Sequence, residues 1–460
     1  MKKDRDPASL ERALRPGRAI RSRVPRSSLA HLAPRPERYD AIGRLMDHDA
    51  SRVRDLLGLR YKRMLEGPGS FLRGSALLMA DDLARGTSTG LDVQLCGDAH
   101  LSNFGVFLSP EREMVFDVND FDETDEGPFE WDVKRLATSL VIASHELGHD
   151  ERQQRTVALA SAHEYRVAMR RFAAMTRLEV WYATLDVDSV VKDLRRFFSD
   201  TASRRIDDVI RHLRGVETST AQRRVLDYGP AGPRIILDAP RFSSVSSTED
   251  SMTADDVVDV VSGYATTLSN DRQVLLSQFT VREVVRHVVG VGSVGTECFA
   301  ALLTGRDDRD PFFLQIKEAR SSVVALARGR RSTLDPGERV VRGQKLMQVT
   351  SDPFLGWDTL TRGDQRRSFY VRQLFNNRAS VDTGRLNEAG LVAYGRLCAW
   401  TLARAHARFG RADEIDGYLG RSGRFDDSIA DFALAYRDRN QRDFEALRDA
   451  ASDGRVTVAT

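Results

Sequence analysis

The sequence predicts an α+β protein in which helical segments enclose two separate groups of strands. Apolar residues recur at three- and four-residue spacing across residues 38–85, which is the period of an amphipathic helix. Short apolar runs interrupted by polar or glycine turns follow at 91–123 and again at 279–320, a pattern typical of strands. A strongly periodic segment, 387–410, and an amphipathic tail then return the chain to helix.

Further helices and one strand complete the predicted order of elements. A long helix begins near Glu130, and helical patterns continue through 157–213 and 255–268. After the second group of strands, a helix that contains Glu338 precedes a strand at 368–374. The chain contains no internal repeat and no low-complexity segment.

The composition excludes several classes of protein. The 69 Lys and Arg residues are balanced by 67 Asp and Glu residues, so a net charge of +2 gives no general attraction to nucleic acid. The 3 cysteines form no CxxC pair, which argues against a disulfide framework or a zinc knuckle and favours a reducing cytoplasm. No apolar run approaches the length of about 18 residues that a membrane span needs. The first 38 residues are rich in arginine, and we predict an extended, solvated arm there.

A glycine-rich segment followed by a lysine-bearing strand predicts a nucleotide-binding hairpin. The segment GVGSVG starts at Gly290 and includes Gly292 and Gly295, and glycines let backbone amides approach phosphate oxygens. The following apolar stretch, TECFAALL, is too short for the crossover helix of a dinucleotide-binding fold but sufficient for a hairpin. Lys317 lies in the apolar strand FFLQIKEA, where an ammonium group needs an anionic partner. Glu338, on the next helix, is the expected partner of Lys317.

A second polar cluster lies between two apolar strands, in LCGDAHLSNFGVF. Asp98 and Asn103 have the spacing of the aspartate base and the magnesium-binding asparagine in a kinase catalytic loop. His100 lies between them in the sequence, and two alternative roles are considered for it. It contacts the transferred phosphate, or it forms a hydrogen bond that holds the loop. Several acids occur in residues 117–123, and Asp120 is the candidate magnesium ligand because it precedes a phenylalanine, as in D-F-G.

These residues resemble the catalytic segments of the protein-kinase-like superfamily. The closest in style are aminoglycoside and choline phosphotransferases, whose catalytic stretch has the form G-D-x-H-x-x-N, and GDAHLSN matches it. In those enzymes a further aspartate opens a helix that supports the catalytic loop, and the resemblance assigns that place to Asp132. Two positions depart from the kinase pattern. Gly97 stands in the place of the arginine of H-R-D, and Asp122 replaces the glycine of D-F-G.

The whole chain also looks like the uncharacterised bacterial family named domain of unknown function 2252. The phrases that carry this resemblance include FLRGSA, GDAHLSNFG, NDFDETDEGPFEWDVKRL, GVGSVGT, LQIKEA and ARAHARFG. They are spread over most of the chain, but the family name implies no function.

The order of the motifs differs from that of ordinary kinases, in which the glycine loop and the lysine precede the catalytic loop. We therefore predict a two-lobed, protein-kinase-like fold that is circularly permuted, which a fold tolerates where its original termini lie close together at the surface. In this arrangement segment 397–410 packs behind the catalytic loop, and the strand at 368–374 leads into the hinge. The predicted divisions are a basic arm (1–38), N-terminal helices (39–90), the catalytic-loop half of the helical lobe (91–270), the nucleotide lobe with its hinge (271–378) and a helical return (379–460).

The combined pattern predicts an ATP- and magnesium-dependent phosphotransferase that acts on a hydroxyl of a small molecule. The glycine loop and Lys317 would hold ATP, while Asn103 and Asp120 would bind magnesium. A pseudokinase-like nucleotide-binding regulator and nucleotidyl transfer on the same fold are the alternatives, and a metal-dependent hydrolase leaves Lys317 unexplained. Arg73 and Arg135 lie near these motifs, and structural ion pairs are predicted for both. The acceptor and the oligomeric state stay open.

Overall fold

The computed structural model describes residues 7–185, 224–245 and 252–459, except residues 289, 293 and 375–378. The part of the predicted helical region beyond residue 185, the hinge residues 375–378 and the first six residues of the arm lie outside the described residues. The described residues form a mixed α+β fold, as predicted. Within these ranges, no helix combines the length and the apolar character that crossing a membrane requires.

The helices begin at side-chain caps in several places. Asp150 accepts the backbone N–H of Gln153 at 2.8 Å, and Asn387 accepts that of Gly390 at 2.9 Å, so two long central helices start with a satisfied backbone donor. The helices are α1 (Pro7–Arg23), α2 (Ala41–Asp49), α3 (Arg54–Met64), α4 (Pro68–Gly74), α5 (Ala76–Arg85), α6 (Glu130–Glu146), α7 (Glu151–Ala174), α8 (Arg177–Tyr182), α9 (Ala254–Tyr264), α10 (Asn270–Leu276), α11 (Val323–Ala327), α12 (Pro336–Met347), α13 (Glu388–His406), α14 (Ala412–Leu419) and α15 (Arg424–Ser452).

The strands form one large antiparallel sheet and three small ones. They are β1 (Asp92–Leu95), β2 (Phe104–Leu108), β3 (Met114–Val118), β4 (Asp125–Pro128), β5 (Leu226–Gly229), β6 (Gly232–Ile235), β7 (Phe242–Ser243), β8 (Thr280–His287), β9 (Cys298–Thr304), β10 (Pro311–Ala319), β11 (Gly356–Arg362), β12 (Gln365–Gln373) and β13 (Ala379–Ser380). The large sheet has the order β11-β12-β10-β9-β8-β7, and the small sheets are β1-β4, β13-β2-β3 and β5-β6. Both predicted groups of strands are thereby confirmed.

The N-terminal arm is helical over most of its described length, so the prediction of an extended, solvated arm was wrong. Helix α1 packs against α14, and the backbones approach so closely that a side chain on Gly17 would overlap the carbonyl oxygen of Glu414. Arg21 Nε donates to the carbonyl of Tyr418 at 2.7 Å. The arginines therefore bind backbone carbonyls at the end of a helix, a role that arginine-rich composition alone does not distinguish from solvation.

The two largest apolar cores of the described residues lie in different parts of the fold, one among helices and one against the large sheet. The first joins α6, α7, α13 and α15, and is built around residues such as Leu140 and Leu402. The second lies between the large sheet and α9, with Val257 and Val260 packed against sheet residues. Helix α9 therefore belongs with the sheet, whereas the division predicted after residue 270 placed it with the catalytic-loop half.

Two polar loops are brought together because their flanking strands pair. Strand β1 pairs with β4 and β2 pairs with β3, so the β1–β2 loop and the β3–β4 loop lie side by side. The backbone N–H of Asn119 donates to the carbonyl of Asn103 across them at 2.9 Å. Behind the first loop, Tyr394 of α13 donates its hydroxyl to the carbonyls of Leu101 at 3.0 Å and Phe104 at 3.1 Å. Tyr394 precedes the predicted segment 397–410, but that segment also lies behind the loop, where His406 Nε2 is 3.2 Å from Asp132 Oδ2, so the predicted packing is confirmed.

Candidate functional site

The β1–β2 loop is held from behind by Asp132, as the resemblance implied. Its carboxylate accepts the backbone N–H of Cys96 at 2.8 Å and that of Gly97 at 3.1 Å, and lies 3.2 Å from His406 Nε2. Gly97 has a φ of +80°, and a Cβ there would overlap the carbonyl oxygen of Glu123 on the neighbouring loop. Only glycine fits this position, which explains why the arginine of the kinase pattern is absent.

Asp98 is oriented by an ion pair. Arg135 donates to Asp98 Oδ1 from Nε at 2.7 Å and also donates to the carbonyl of Leu72, so the predicted ion pair of Arg135 is confirmed. The second oxygen, Oδ2, lies 3.7 Å from His100 Nε2. One carboxylate oxygen is therefore fixed by Arg135. The other lies beside His100 and faces the cleft, which is the open space between the two loops and the glycine turn.

His100 is a neutral side chain on the wall of the cleft. It is 9 % exposed, and its Nδ1 has no hydrogen-bond partner among the described residues. Burial lowers the pKa of His100 to about 4, with Arg73 and Arg135 adding to the effect and Asp98 opposing it. The imidazole is therefore uncharged at neutral pH, and its buried Nδ1 has unused hydrogen-bonding capacity.

Asn103 joins the two loops. Its Nδ2 donates to the carbonyls of Asp98 at 3.2 Å and Asp120 at 2.9 Å, and its Oδ1 accepts the backbone N–H of Asp120 at 2.7 Å. One lone pair of Oδ1 is thus committed to a hydrogen bond, and one stays available to a metal ion. Asn103 has a positioning role in addition to the magnesium-binding role predicted for it.

Asp120 and Lys317, from the two halves of the chain, approach each other beneath the surface of the cleft. Lys317 is 2 % exposed, and its Nζ lies 3.8 Å from Asp120 Oδ2, while the Asp120 side chain is 47 % exposed. Burial disfavours the charge on Asp120, but Lys317 and Arg372 outweigh it and lower the pKa of Asp120 to about 2. The Asp120 carboxylate is therefore ionised and accessible, as a metal ligand must be.

Asp122, rather than Glu338, is the direct partner of Lys317. Asp122 Oδ2 accepts a hydrogen bond from Lys317 Nζ, and its Oδ1 accepts one from the hydroxyl of Tyr370 at 2.7 Å. Burial disfavours the ammonium, but Asp120 and Asp122 outweigh it and raise the pKa of Lys317 well above its ordinary value. The acid that replaces the glycine of D-F-G thus supplies the counter-charge that was predicted from the helix.

Glu338 has a different partner, so its predicted pairing with Lys317 was wrong. It forms an ion pair with Arg342, one turn further along α12. Arg339, a buried residue of α12, donates from Nη2 to the carbonyls of Asp122 and Arg320, both at 2.8 Å. Helix α12 still fixes the β3–β4 loop, here called the acidic loop, and the end of β10. It does so through hydrogen bonds from the Arg339 guanidinium to backbone carbonyls instead of through Glu338.

The glycine turn connects β8 with β9 as predicted, and arginines of the N-terminal helices hold it. Arg60 Nη1 donates to the carbonyls of Val291 and Gly292, both at 3.1 Å, and Arg52 Nη1 donates to that of Val294 at 2.9 Å. Asp49 accepts from both arginines, at 2.8 Å from Arg60 and 2.7 Å from Arg52.

Further contacts of the same kind hold the two ends of the turn. Arg63 donates to the carbonyl of Gly290, and the carbonyl of Gly295 accepts the backbone N–H of Val53 at 2.8 Å. We name Asp49, Arg52, Arg60 and Arg63 the arginine clamp. The sequence gives no motif for this clamp, because the contacts are between side chains and distant backbone carbonyls.

A cavity of about 260 Å³ lies between the loops, the glycine turn and the N-terminal helices. The predicted site residues that line it are Asp98, His100, Asn103, Asp120, Gly290 and Gly292. Gly295, Lys317 and Glu338 are not on its surface. Five arginines also line the cavity, and sequence reasoning assigned none of them to the site. They are Arg52, Arg60, Arg73, Arg320 and Arg372.

The residues present fit a magnesium ion that is bound mainly through nucleotide phosphates. No group of three or more His, Cys, Asp or Glu side chains in the described residues could hold a metal alone. Asp120 and the free lone pair of Asn103 offer two oxygen ligands, and magnesium is commonly bound through one or two protein oxygens plus substrate phosphates and water.

A family model described as "Uncharacterized protein conserved in bacteria (DUF2252)" matches residues 52–450. The chain belongs to this family. The match spans the arginine clamp from Arg52 onward, both loops, the glycine turn, the lysine strand and α13. Comparison with curated proteins and with solved structures gave no match.

Proposed function

We propose that this member of the family is an ATP- and magnesium-dependent phosphotransferase of kinase-like, circularly permuted fold. In this proposal it transfers the terminal phosphoryl group of ATP to a hydroxyl of a small molecule. The observation that carries the proposal is the approach of Lys317 Nζ to within 3.8 Å of Asp120 Oδ2, beside the loop that holds Asp98 and Asn103. A candidate base, an asparagine and a metal-binding aspartate on one cavity, with a lysine directly behind the aspartate, are the parts that phosphoryl transfer needs.

The order of elements in the sheet supports the kinase-like fold. Strands β8 and β9 flank the glycine turn, β10 carries Lys317, α12 follows, and β12 pairs with β10 before the chain leaves the sheet. The next strand, β13, pairs with β2 directly after the candidate catalytic loop. The chain thus passes from the sheet into the catalytic-loop region, as in an ordinary kinase, although that region comes first in the sequence.

The nucleotide phosphates would lie between the glycine turn and the Asp120 loop. Magnesium, when bound, would neutralise charge that develops on the transferred phosphoryl group. Asp120 and Asn103 would hold this ion, and the hydrogen bonds between them keep their two loops in register. Lys317 would hold phosphate oxygens, and Asp122 and Tyr370 keep its ammonium in place.

Asp98 is the candidate base. Its Oδ2, beside His100, accepts the proton of the acceptor hydroxyl as the acceptor oxygen bonds to the γ-phosphorus and the bond from that phosphorus to the bridging β-oxygen breaks. Arg135 holds Oδ1 and so directs Oδ2 towards the cleft. The products are the phosphorylated acceptor and ADP.

One observation favours a second candidate, a nucleotide-binding regulator without catalysis. The Lys317 ammonium already has a carboxylate partner in Asp122, which competes with phosphate oxygens for it. A regulator, however, has no need for the ordered Asp98, whose orientation by Arg135 favours the phosphotransferase.

The proposal is tested by following labelled ATP. ATP carrying the label in either the γ- or the α-phosphate is incubated with magnesium, a panel of hydroxylated metabolites and either the wild type or Asp98→Asn. Phosphotransfer predicts γ-label on an acceptor with the wild type and at least a hundredfold less with Asp98→Asn, within the range of about 10²–10⁴ for general-base catalysis. Transfer of α-label would identify nucleotidyl transfer instead, and unchanged transfer by Asp98→Asn would contradict the assigned base.

A further inference from the structure

A second cavity lies against the same loop as the first. It has a volume of about 410 Å³ and is lined by α4, the end of α6 and the β1–β2 loop. Arg73, His100 and Ser102 line both cavities, so they form a shared wall. Asn103, Asp120 and the glycine turn border only the first cavity. The second cavity thus reaches the candidate base region from the side away from the proposed nucleotide site.

Arg73 and Arg320 on the first cavity each have a buried nitrogen without a hydrogen-bond partner among the described residues, and of these two Arg73 is the one that also lines the second cavity. Arg52 and Arg60 pair with Asp49, and Arg135 pairs with Asp98. Arg73 forms no ion pair within the described residues, and its Nε is buried without a hydrogen-bond partner. The structural ion pair predicted for Arg73 is not found among the described residues. A buried guanidinium nitrogen without a partner is costly, and the planar fork of arginine matches phosphate and carboxylate oxygens.

The neighbours of Arg73 favour a ligand at the shared wall. His100 is about nine-tenths buried and has an unpartnered Nδ1, so two polar groups on this wall lack a protein partner. The carbonyl of Arg73 lies against the glycine turn, 3.2 Å from where a Cβ on Gly292 would be. Arg73 also lines the first cavity together with Asp98 and Asp120, so an anion bound by Arg73 would lie near the place where the phosphoryl group is transferred.

We propose that Arg73 binds an anionic group, a phosphate or a carboxylate, of the acceptor at the shared wall, and that the acceptor extends from the second cavity past this wall, so that its hydroxyl reaches Asp98 in the first cavity. This inference rests on the proposed function and names its substrate class. The acceptor is a hydroxylated compound that already carries a negative charge. An acceptor, rather than the nucleotide, is favoured because the second cavity lacks the glycine turn and the metal-binding residues.

A binding experiment tests this site without requiring the true acceptor. Inorganic phosphate is titrated into the wild type saturated with ADP and magnesium, and into Arg73→Met, Arg73→Lys and Lys62→Met, whose lysine is exposed on α3. We expect binding to the wild type and to Lys62→Met, and weakening by about tenfold or more in Arg73→Met, as for loss of a charged hydrogen bond. Arg73→Lys, which keeps the charge, should bind with intermediate affinity and serves where Arg73→Met does not fold.

Three results would overturn the inference. Equal phosphate affinity of Arg73→Met and the wild type would show that phosphate binds at another site. No phosphate binding to the ADP-loaded wild type would show that Arg73 does not form an anion site. Weakening of ADP binding by Arg73→Met, to the same extent as phosphate binding, would place Arg73 in the nucleotide site. Failure of the proposed function is distinguishable, because it would appear as no transfer of γ-label by the wild type, whereas phosphate binding that depends on Arg73 is measured without catalysis.

A matched series of three-carbon compounds tests the class of acceptor. Glycerol, glycerate, glycerol phosphate and an aminopropanediol share hydroxyl groups and differ in charge. With labelled ATP, the wild type should phosphorylate glycerate or glycerol phosphate in preference to glycerol, and Arg73→Met should lose this preference. Preference for the aminopropanediol would instead assign a cationic acceptor, bound through the exposed carboxylates Glu66 and Glu146, and would contradict the proposal.

Discussion

Gly97 and Gly148 share a left-handed backbone but differ in what surrounds them. Both have φ of +80°, yet a Cβ at Gly148 would meet nothing within 4 Å, whereas at Gly97 it would overlap the carbonyl of Glu123. The comparison separates backbone strain from steric overlap between the two loops of the candidate site.

Gly148→Ala should lower the free energy of unfolding by about 1–2 kcal/mol, the cost of a left-handed alanine. Gly97→Ala should cost more than this, because the loops must also separate, and it should reduce nucleotide binding. Urea unfolding of both variants measures the difference. Equal losses would show that the contact between the loops carries no stability.

His100 should make the stability of the protein depend on pH. Burial lowers the pKa of His100 to about 4 in the folded chain, below the value of about 6.5 for an unfolded histidine. As pH falls from about 6.5 to 4, the unfolded state takes up the proton first, so the stability that neutral His100 contributes is present above pH 6.5 and lost over that interval.

His100→Gln should therefore lose less stability than the wild type between about pH 6.5 and 4. His31→Gln, which changes an exposed histidine, is the matched control. Chemical unfolding at several pH values gives the slopes. Identical slopes for His100→Gln and wild type would contradict the depressed pKa.

Asp122 and Glu338 should differ sharply in importance. Asp122→Asn removes the direct counter-charge of a buried ammonium and should cost about 1.5–3 kcal/mol, in the range of a charged hydrogen bond. Glu338→Gln removes only a pair with Arg342, whose side chain is exposed, and should cost less than about 1 kcal/mol. Thermal unfolding of both variants checks the contrast. A larger loss from Glu338→Gln would restore the pairing expected from kinases.

Elements of the N-terminal region act on the glycine turn through the arginine clamp. Helix α3 contributes Arg60 and Arg63, and Asp49 at the end of α2 holds the guanidinium groups. Burial opposes its charge, but Arg60 and the other partners lower the pKa of Asp49 well below its usual value. The clamp therefore stays charged, and the turn is fixed from outside rather than left as a free loop.

Arg60→Met should release the glycine turn. We expect faster hydrogen exchange across 290–296 and about tenfold weaker ATP binding, from loss of hydrogen bonds to a charged group. Arg54→Met, at an exposed position of the same helix, should change neither quantity. Unchanged exchange in Arg60→Met would show that the clamp does not order the turn.

At this scale, sequence patterns predicted some elements well and others poorly. Strands β8 to β10 and helix α13 have strong periodicity and were predicted, because their burial follows from the local pattern. Helix α1 was missed, since it is stabilised by backbone approach and arginine-to-carbonyl bonds that leave no apolar period. The pairing of Lys317 with Asp122 instead of Glu338 was missed, because contacts between distant segments decide it. The acid at position 122, where the kinase pattern has glycine, was the feature of the sequence that could have indicated this pairing.

In the molecule as a whole, the proposed function requires that two halves in reversed order build one nucleotide site. Asp120 comes from the first half of the chain and Lys317 from the second, and their approach depends on β13 pairing with β2 and on α12 contacting the acidic loop. Such an arrangement predicts that nucleotide binding requires both halves at once.

The most direct test is calorimetric titration of ATP into the wild type and Asp120→Asn, each with and without magnesium. We expect binding that magnesium strengthens in the wild type, and loss of that magnesium effect in Asp120→Asn while the variant stays folded. A folded wild type that binds no ATP, or an Asp120→Asn variant with the full magnesium effect, would contradict the proposed nucleotide site.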